Sequence, residues 1–245
     1  MQEKEMRANS EGIRINKYIA ECGVCSRRDA DVLIAEGRVS VNGVTVTNGV
    51  KVSGSETICI NGKQISGRNE KVVYAFYKPV GITCTERDPF AQKKVTDCIK
   101  IPVRVTYAGR LDKESEGLLL MTNDGNLIDR LMRGANRHEK EYVVKVNKEI
   151  TDSFIARMQE GVYLKELEKT TRPCEVIREG KYTFRIILTQ GLNRQIRRMC
   201  KELKYEVKQL KRVRINGITL GKLQPGQYRL LNEAERKALY ESVGR

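Results

Sequence analysis

One stretch of this sequence joins two predicted strands through a short polar loop, and it reads Ala108-Gly109-Arg110-Leu111-Asp112-Lys113-Glu114-Ser115-Glu116-Gly117-Leu118-Leu119-Leu120-Met121-Thr122-Asn123. The apolar runs on both sides of its polar centre are typical of strands. Gly109 and Gly117 allow the backbone to turn tightly around the loop. The loop carries a carboxylate, Asp112, two residues after Arg110, and a nearby cation favours the charged form of a carboxylate. Taken alone, such a pair is more typical of a solvated surface ion pair than of a catalytic site.

Strand and helix patterns continue on both sides of this loop. Apolar runs and alternation predict strands at 72–77, 103–108, 117–122, 141–147, 183–189 and 205–215. Apolar residues at helical spacing predict helices at 124–133, 151–159, 193–203 and 232–242. Strands and helices do not alternate regularly, which disfavours a doubly wound parallel sheet. We therefore predict an α+β fold whose larger domain contains a mainly antiparallel mixed sheet.

The first sixty residues predict a separate small module. Apolar residues recur at helical spacing from Ile15, and the stretch Ser26-Arg27-Arg28-Asp29 resembles a capping box that begins a second helix. The pair Asn42-Gly43 between alternating residues predicts a hairpin, and 57–60 predicts another strand. The polar residues that follow are typical of a linker. We therefore divide the chain into a domain of two helices and short strands at 12–62, a linker at 63–71 and a larger domain at 72–245.

The composition narrows the class of protein. The 245 residues carry a formal net charge of +15, which is typical of proteins attracted to nucleic acid, although a merely soluble basic surface has the same signature. No apolar run reaches the roughly 18 residues of a membrane span, and the charged N-terminus lacks the apolar centre of a secretory signal. Seven scattered cysteines are typical of reduced thiols in a cytosol. We expect a cytoplasmic monomer with no membrane segment.

Several kinds of chemistry are disfavoured by what the sequence lacks. His138 is the single histidine, so zinc motifs and nuclease sites that need two histidines are excluded. No glycine-rich nucleotide loop follows a predicted strand. The pair Cys22 and Cys25 is a lone CxxC, which cannot fill a tetrahedral zinc site by itself. We therefore expect neither a cofactor nor a metal. Isomerisation of a base within RNA is one reaction that needs neither an oxidant nor an energy source.

The loop at 108–123 closely resembles the active-site motif of the pseudouridine synthases, specifically the RsuA-type branch that acts on ribosomal RNA. Three further stretches resemble the other motifs of that branch in the same order, namely Val73–Gly81, His138–Val144 and Leu188–Met199. Residues 13–61 resemble the S4 RNA-binding domain that precedes the catalytic domain in this branch. Many relatives carry a small polar residue where this chain has Tyr77, a departure that lies outside the reacting groups.

The resemblance implies a reaction and roles for four residues. The bond from uracil N1 to C1′ of the ribose is broken, the uracil turns in the pocket, and its C5 is joined to C1′. Asp112 matches the essential aspartate, whose exact step, attack on the sugar or the base or proton abstraction from the sugar, stays open. Tyr142 matches the tyrosine that stacks on the base, and Arg197 matches the basic partner of the aspartate. Arg110 matches the residue that fills the gap left by a flipped base. Without the motif match, Tyr142 would be more typical of a core aromatic than of a catalytic residue, and Arg197 more typical of a phosphate contact.

The expected partner is a structured stem-loop of ribosomal RNA whose target uridine is flipped out of its stack. Basic side chains near the site and on the N-terminal module are expected to contact its phosphates. These are Arg14, Lys17, Arg27, Arg28, Arg194, Arg198, Lys208, Lys211 and Arg212.

Two function classes fit the sequence. The first is an enzyme that isomerises uridine to pseudouridine at a specific site in ribosomal RNA. The alternative is a non-catalytic RNA-binding or ribosome-assembly protein built on the same fold. The presence of Asp112, Tyr142 and Arg197 together favours the enzyme, because a protein that only binds a polyanion has no reason to bury an acid facing it. Details of 134–142 and 191–195 favour the bacterial F-type enzymes that modify 23S ribosomal RNA.

Overall fold

The computed structural model describes residues 12–85, 88, 90, 92–133 and 137–244, which form two compact units. Of the described residues, those up to Lys71 and Ile101–Val105 form one unit, and those in 72–100 and from Thr106 onward form the other. Residues 134–136, part of a stretch that favoured the F-type enzymes, lie outside the described residues. None of the helices described is both long and apolar enough to cross a membrane.

The N-terminal unit begins with two short helices, α1 (Ile15–Glu21) and α2 (Arg27–Ala35). The predicted capping box of α2 is confirmed. The backbone N of Asp29 donates to Ser26 Oγ at 3.1 Å, and the backbone N of Ser26 donates to Asp29 Oδ2 at 3.4 Å. Both bonds satisfy donors that a helix N-terminus otherwise leaves unpaired, so these two side chains determine where α2 begins.

Six short strands complete this unit, namely β1 (Ile13–Arg14), β2 (Val39–Val41), β3 (Val44–Thr45), β4 (Lys51–Val52), β5 (Ile58–Ile60) and β6 (Lys63–Gln64). The strands β3, β2, β5 and β6 form one antiparallel sheet in that order, and β1 pairs with β4. Asn42 and Gly43 have φ of 50° and 80°, as the predicted hairpin turn requires. The prediction of a linker from residue 63 differs from the structure, since Lys63–Gln64 continues the sheet after a second Asn-Gly turn.

The larger unit is built on a nine-stranded sheet. The strands of this sheet are β7 (Val73–Lys78), β8 (Thr106–Ala108), β9 (Glu116–Thr122), β10 (Lys140–Val146), β13 (Glu175–Arg178), β14 (Thr183–Leu188), β15 (Val207–Ile215), β16 (Ile218–Thr219) and β17 (Tyr228–Leu230). Two further strands, β11 (Tyr163–Leu164) and β12 (Lys169–Thr170), pair with each other outside it. The order across the sheet is β13-β14-β10-β15-β9-β7-β17, with β16 on β15 and β8 on β9. Within the described residues, β9 and β15 form the one parallel pair. The predicted α+β fold with a mainly antiparallel mixed sheet is therefore confirmed.

Four helices cover this sheet: α3 (Gly125–Met132), α4 (Asp152–Glu160), α5 (Gln195–Glu202) and α6 (Glu233–Ser242). The helices α4 and α5 bury Phe154 and Met199 in a core shared with β10 and β14. The helices α3 and α6 bury Leu127 and Leu239 in a second core shared with β7 and β9. The parallel pair β9–β15 lies where the two halves of the sheet meet, and the loop that carries Asp112 leads directly into β9.

Two of the predicted strands begin two or more residues later in the structure, whereas the bounds of the other four agree to within one residue. The strand predicted at 103–108 is limited to Thr106–Ala108, because Ile101–Val105 belongs to the N-terminal unit. The predicted strand at 205–215 begins at Val207, because Lys204 turns with φ of 66° after α5. The edge strands β13 and β17 were not predicted, since each is short and has little alternation to detect.

Candidate active site

The loop from Gly109 to Ser115 joins β8 to β9, which pair antiparallel. Gly109 has φ of 79°, a conformation that side chains disfavour, and so permits the turn out of β8. The backbone N of Gly81 donates to the Lys113 carbonyl at 2.8 Å, and Lys78 Nζ donates to the Ser115 carbonyl at 2.7 Å. Lys78 is fully buried, and its burial lowers the pKa of its ammonium. The stretch Val73–Gly81, which includes Lys78 and Gly81, therefore positions the loop that carries Asp112.

Two arginines of the stretch Leu188–Met199 lie within ion-pair distance of Asp112. Arg194 Nη1 lies 3.4 Å from Asp112 Oδ2, and Arg197 Nε lies 3.9 Å from the same oxygen. The Asp112 side chain is 31% exposed, so the carboxylate faces an open space instead of the protein core. The structure thus brings together Asp112 and Arg197, as expected, and adds Arg194 as the nearer cation.

Arg197 is held firmly in this position. Its Nη2 donates to the Glu114 carbonyl and to Ser115 Oγ, both at 3.1 Å, and its Nη1 donates to the Val207 carbonyl at 3.4 Å. Burial, followed by the charge of Arg194, lowers the pKa of its guanidinium. These contacts fix the Arg197 guanidinium beside the active-site loop before any substrate is present.

Arg194 is more exposed and is shared between two acids. It adopts φ of 50° immediately before α5, and its Nη1 also lies 2.9 Å from Glu114 Oε2. The hydrogen bond from Arg194 lowers the pKa of Glu114. Besides its predicted contact with phosphate, Arg194 connects the start of α5 to the loop that carries Asp112 and Glu114.

A cleft of about 460 Å³ opens beside Asp112. Tyr142 lines it from β10, with Lys140 two residues earlier on the same strand. Residues two apart on a strand share a face, so both side chains project toward the cleft. Burial, followed by the charge of Arg212, lowers the pKa of Lys140 to about 8. Other lining residues are Arg110, Leu111, Leu188, Gln190, Leu192, Ile196 and Leu210.

Gly117 allows β9 to approach the backbone of Arg212, one of the residues that line the cleft. It is paired with Arg212 across the parallel strands β9 and β15 and has φ of 110°. A Cβ at this position would lie 2.2 Å from the Arg212 carbonyl oxygen, which no side chain can do without displacing backbone. Glycine is required here by both the close approach and the conformation.

The structure places the other expected RNA-binding residues in different environments. Arg110 is exposed at the cleft and makes no hydrogen bond or ion pair to a described residue through its side chain. Arg198 is paired with Glu166, and Lys208 lies 2.7 Å from Glu206. Lys211 is half-buried, with its Nζ 5.0 Å from the centre of the Tyr77 ring. In the N-terminal unit Arg14, Arg27 and Arg28 are exposed, whereas Lys17 lies 3.9 Å from Glu21.

Arg212 differs most from expectation. We predicted a phosphate contact, but the residue is only 2% exposed, because it lies on the inner side of β15 next to the close β9 approach. The cleft residues Lys140, Gln190 and Arg212 were not predicted to be near the reaction. Only Lys140 carried a detectable signal, its two-residue spacing from Tyr142.

This arrangement has the parts that a base isomerisation needs. The carboxylate of Asp112 lies near two arginines, and Tyr142 and the exposed Arg110 line the same cleft. Among the described residues, no group of three or more His, Cys, Asp or Glu side chains is placed to hold a metal ion.

Comparison with known proteins agrees with this geometry. Residues 72–202 match the family model described as RNA pseudouridylate synthase, and residues 13–58 match that of the S4 domain. The chain is 43% identical to the dual-specificity RNA pseudouridine synthase RluF of Escherichia coli K12, over 94% of this chain and 79% of the relative. It is 40% identical to the ribosomal large subunit pseudouridine synthase B of Bacillus subtilis, over 92% of this chain and 95% of the relative.

A crystal structure of a pseudouridylate synthase has a TM-score of 0.69 and 26% identity to this chain, and covers 93% of this chain and 99% of its own. The region matched by the synthase family model includes Asp112 and Tyr142, which line the cleft, and Arg197, which lies beside Asp112. This chain belongs to the RNA pseudouridylate synthase family, with an S4 domain at its N-terminal side.

Proposed function

We propose that this protein isomerises a specific uridine to pseudouridine in ribosomal RNA, with 23S RNA as the substrate. The observation that carries the proposal is Asp112, set between Arg194 and Arg197 at the edge of a cleft that Tyr142 lines. The names of the two curated relatives support an RNA substrate, and that of the Bacillus protein supports the large ribosomal subunit.

In this proposal Asp112 acts as an ionised carboxylate that takes part in the chemistry. When the bond from N1 to C1′ breaks, C1′ becomes electron-deficient, and a carboxylate can stabilise or bond to such a carbon. The uracil then turns, C5 bonds to C1′, the proton of C5 departs and N1 takes up a proton, so product and substrate are isomers. Arg197 holds the carboxylate in place, and Tyr142 stacks on the base while it turns.

The base reaches this cleft by leaving its stack, because its reactive atoms are covered within a helix. We propose a stem-loop substrate in which Arg110 fills the vacated position. The guanidinium of Arg110 is exposed and available for this, and its plane is suited to stacking on bases. Phosphate contacts come from the exposed cations Arg14, Arg27 and Arg28 and from Arg194, Arg198, Lys17, Lys208 and Lys211.

We further propose that the protein acts as a cytoplasmic monomer. The division at 12–62, 63–71 and 72–245 is kept in this proposal, except that β6 extends the first domain to Gln64; the S4 domain binds RNA and the larger domain carries the chemistry. The division is supported by a separate hydrophobic core in the N-terminal unit.

The test is to map pseudouridine in 23S RNA from a strain that lacks the gene and in the same RNA after incubation with the purified protein. The expected result is one or a few uridines that are unmodified in the deletion strain and are converted by the wild-type protein. Asp129→Asn, an exposed change on α3, should convert them equally well. Tight binding of ribosomal RNA with no conversion at any uridine would favour the non-catalytic alternative instead.

A further inference from the structure

Arg212 is a buried cation without an acidic partner. Its Nε donates to the Leu118 carbonyl at 2.7 Å, and its Nη1 donates to the Arg110 carbonyl at 3.4 Å. Its Nη2 is buried and has no hydrogen-bond partner, and no ion pair among the described residues involves it. Burying a charge without a counter-charge is costly, and an unpaired buried donor adds to that cost. The two backbone carbonyls account for Nε and Nη1 of Arg212, but nothing among the described residues accounts for its buried Nη2.

The residue that carries this unpaired nitrogen is part of the wall of the cleft beside Asp112. Arg212 lines the cleft from β15, and its direct cross-strand partner on β10 is Tyr142. Directly opposed residues of paired strands project to the same face, with Cβ atoms roughly 5 Å apart. The two hydrogen bonds to backbone carbonyls hold the guanidinium in place, and they leave both N–H groups of Nη2 without a partner. A base stacked on Tyr142 would thus have this donor beside its edge.

The chemistry of the reaction produces a need for such a donor. If the bond from N1 to C1′ breaks first, its electron pair stays on the uracil, and the charge spreads over N1, O2 and O4. If a nucleophile adds to C6 of the base instead, the electrons of the C5–C6 double bond move toward O4. Negative charge therefore reaches a carbonyl oxygen whichever step Asp112 performs. A fixed buried donor aimed at developing charge is the arrangement that stabilises a transition state most effectively.

We propose that Arg212 is a catalytic residue whose free Nη2 donates a hydrogen bond to a carbonyl oxygen of the target uracil, O2 or O4, and stabilises the negative charge that the base gains during the reaction. This inference rests on the proposed isomerase function and adds a residue to it. It replaces the expectation that Arg212 contacts phosphate.

Two neighbours support this assignment. Gln190 Nε2 is also buried without a partner and also lines the cleft, while its Oε1 accepts from the backbone N of Arg172 at 3.3 Å. Lys140 adds a second cation on the same face of the sheet. The cleft therefore presents donors, which suits a base with two carbonyl oxygens and the charge that collects on them.

The test pairs a change in the protein with a change in the base. The substrate is an RNA stem-loop carrying the mapped uridine, and it is prepared with uridine, 2-thiouridine or 4-thiouridine at that position. Sulfur is a weaker hydrogen-bond acceptor than oxygen. Single-turnover rates are measured for the wild-type protein, for Arg212→Met and for Arg185→Met. Arg185 is an arginine of the same sheet that is paired with Glu141 and Glu179 on the opposite face, so it controls for the loss of a sheet arginine.

At one of the two positions, sulfur should slow the wild-type protein and Arg185→Met by about tenfold or more, because a charge-assisted hydrogen bond is removed. The same sulfur should change the rate of Arg212→Met by less than about twofold, since the bond is already absent. Equal slowing of wild type and Arg212→Met by both sulfur substitutions would overturn the inference. A wild-type protein that converts no uridine at all would overturn the proposed function and this inference with it.

Thermal unfolding and RNA affinity are measured on each variant, since Arg212→Met also removes two bonds to backbone carbonyls. If that variant does not unfold cooperatively, Arg212→Gln takes its place, because its amide can still donate to one of those carbonyls. The same loss of sensitivity to sulfur is expected for it, and retained sensitivity would count against the inference. A purely structural role for Arg212 would lower all rates together without this selective effect.

Discussion

At the scale of single residues, the two arginines beside Asp112 differ in how firmly they are held. Arg197 is anchored by two backbone carbonyls and by Ser115 Oγ, so it keeps its place when RNA arrives. Arg194 is exposed and divides its charge between Asp112 and Glu114, so a phosphate can compete for it. The carboxylate of Asp112 thus has one firmly held cation, Arg197, and one exposed cation, Arg194, for which RNA can compete.

Arg110 is expected to hold the flipped state without reacting. Unstacking a base costs a few kcal/mol, and Arg110→Ala should therefore slow turnover of a structured stem-loop by about a hundredfold or more. A short single-stranded substrate, whose base is already unstacked, should be slowed much less. The measurement is kcat/KM on both substrates, with the exposed Arg178→Ala as the control. Equal effects on both substrates would mean that Arg110 acts on Asp112 and not on the stack.

Lys140 is expected to give the enzyme an alkaline limit. Its pKa is lowered to about 8, so its positive charge in the cleft is present below that pH and is lost above it. The single-turnover rate of wild type should fall as pH rises through about 8, whereas Lys140→Arg, which stays charged, should keep its rate to higher pH. The unfolded chain binds more protons than the native one between about pH 8 and 10.4, so the contribution of Lys140 to stability rises with pH over that range. If the single-turnover rates of wild type and Lys140→Arg fall over the same pH range above 8, Lys140 does not set the alkaline limit.

At the scale of secondary structure, the parallel junction of β9 and β15 organises the site. It places the loop with Asp112 at the start of one strand and Arg212 on the other, and β10 adds Tyr142 from the far side of β15. The close approach depends on Gly117, whose missing Cβ leaves room for the Arg212 backbone. A change at this glycine reaches the cleft through the backbone, without altering any charged group.

Gly117→Ala should destabilise the protein by about 2 to 4 kcal/mol, since it combines a backbone clash with a disfavoured φ. The matched control is Gly125→Ala at the start of α3, where a Cβ would have nothing within 4 Å. Urea unfolding of the three proteins gives the comparison. If Gly117→Ala unfolds at the same urea concentration as wild type, β9 and β15 can move apart without loss of stability, and the prediction is wrong.

The sequence indicated most of the elements but little of how they meet. The turn at Asn42-Gly43 and the capping box at Ser26 were predictable because their signals are local. The approach of Arg194 to Asp112 was not, since it depends on a left-handed residue before α5 and on packing across the sheet. Arg212 was mistaken for a phosphate contact because nothing in a basic run shows which side chain faces inward.

At the scale of the whole molecule, charge sets the conditions for binding. A net charge of +15 favours a polyanion, but many of the cations around the active site are already paired with acids of this chain. The exposed Arg27 and Arg28 begin α2 and form no ion pair within the described residues. These two residues are therefore better placed to contribute to affinity than the paired cations.

Replacing both Arg27 and Arg28 by Gln should weaken RNA binding and reduce the slope of log affinity against log salt by about 0.7 to 0.9 for each phosphate that is no longer neutralised. Lys237→Gln, which removes a charge from α6 near Glu241, should leave the slope unchanged. Titrations of the same RNA at several salt concentrations measure both effects. An unchanged slope for the double variant would place α2 away from the RNA.

The central claim is that Asp112 performs the chemistry, and tritium release tests it most directly. RNA labelled at C5 of uridine loses its label to water when C5 bonds to C1′. Asp112→Asn should release no tritium above background while binding the RNA nearly as well as wild type, and Asp129→Asn should release it at the wild-type rate. Tritium release by Asp112→Asn at a rate near that of wild type would contradict the mechanism described here.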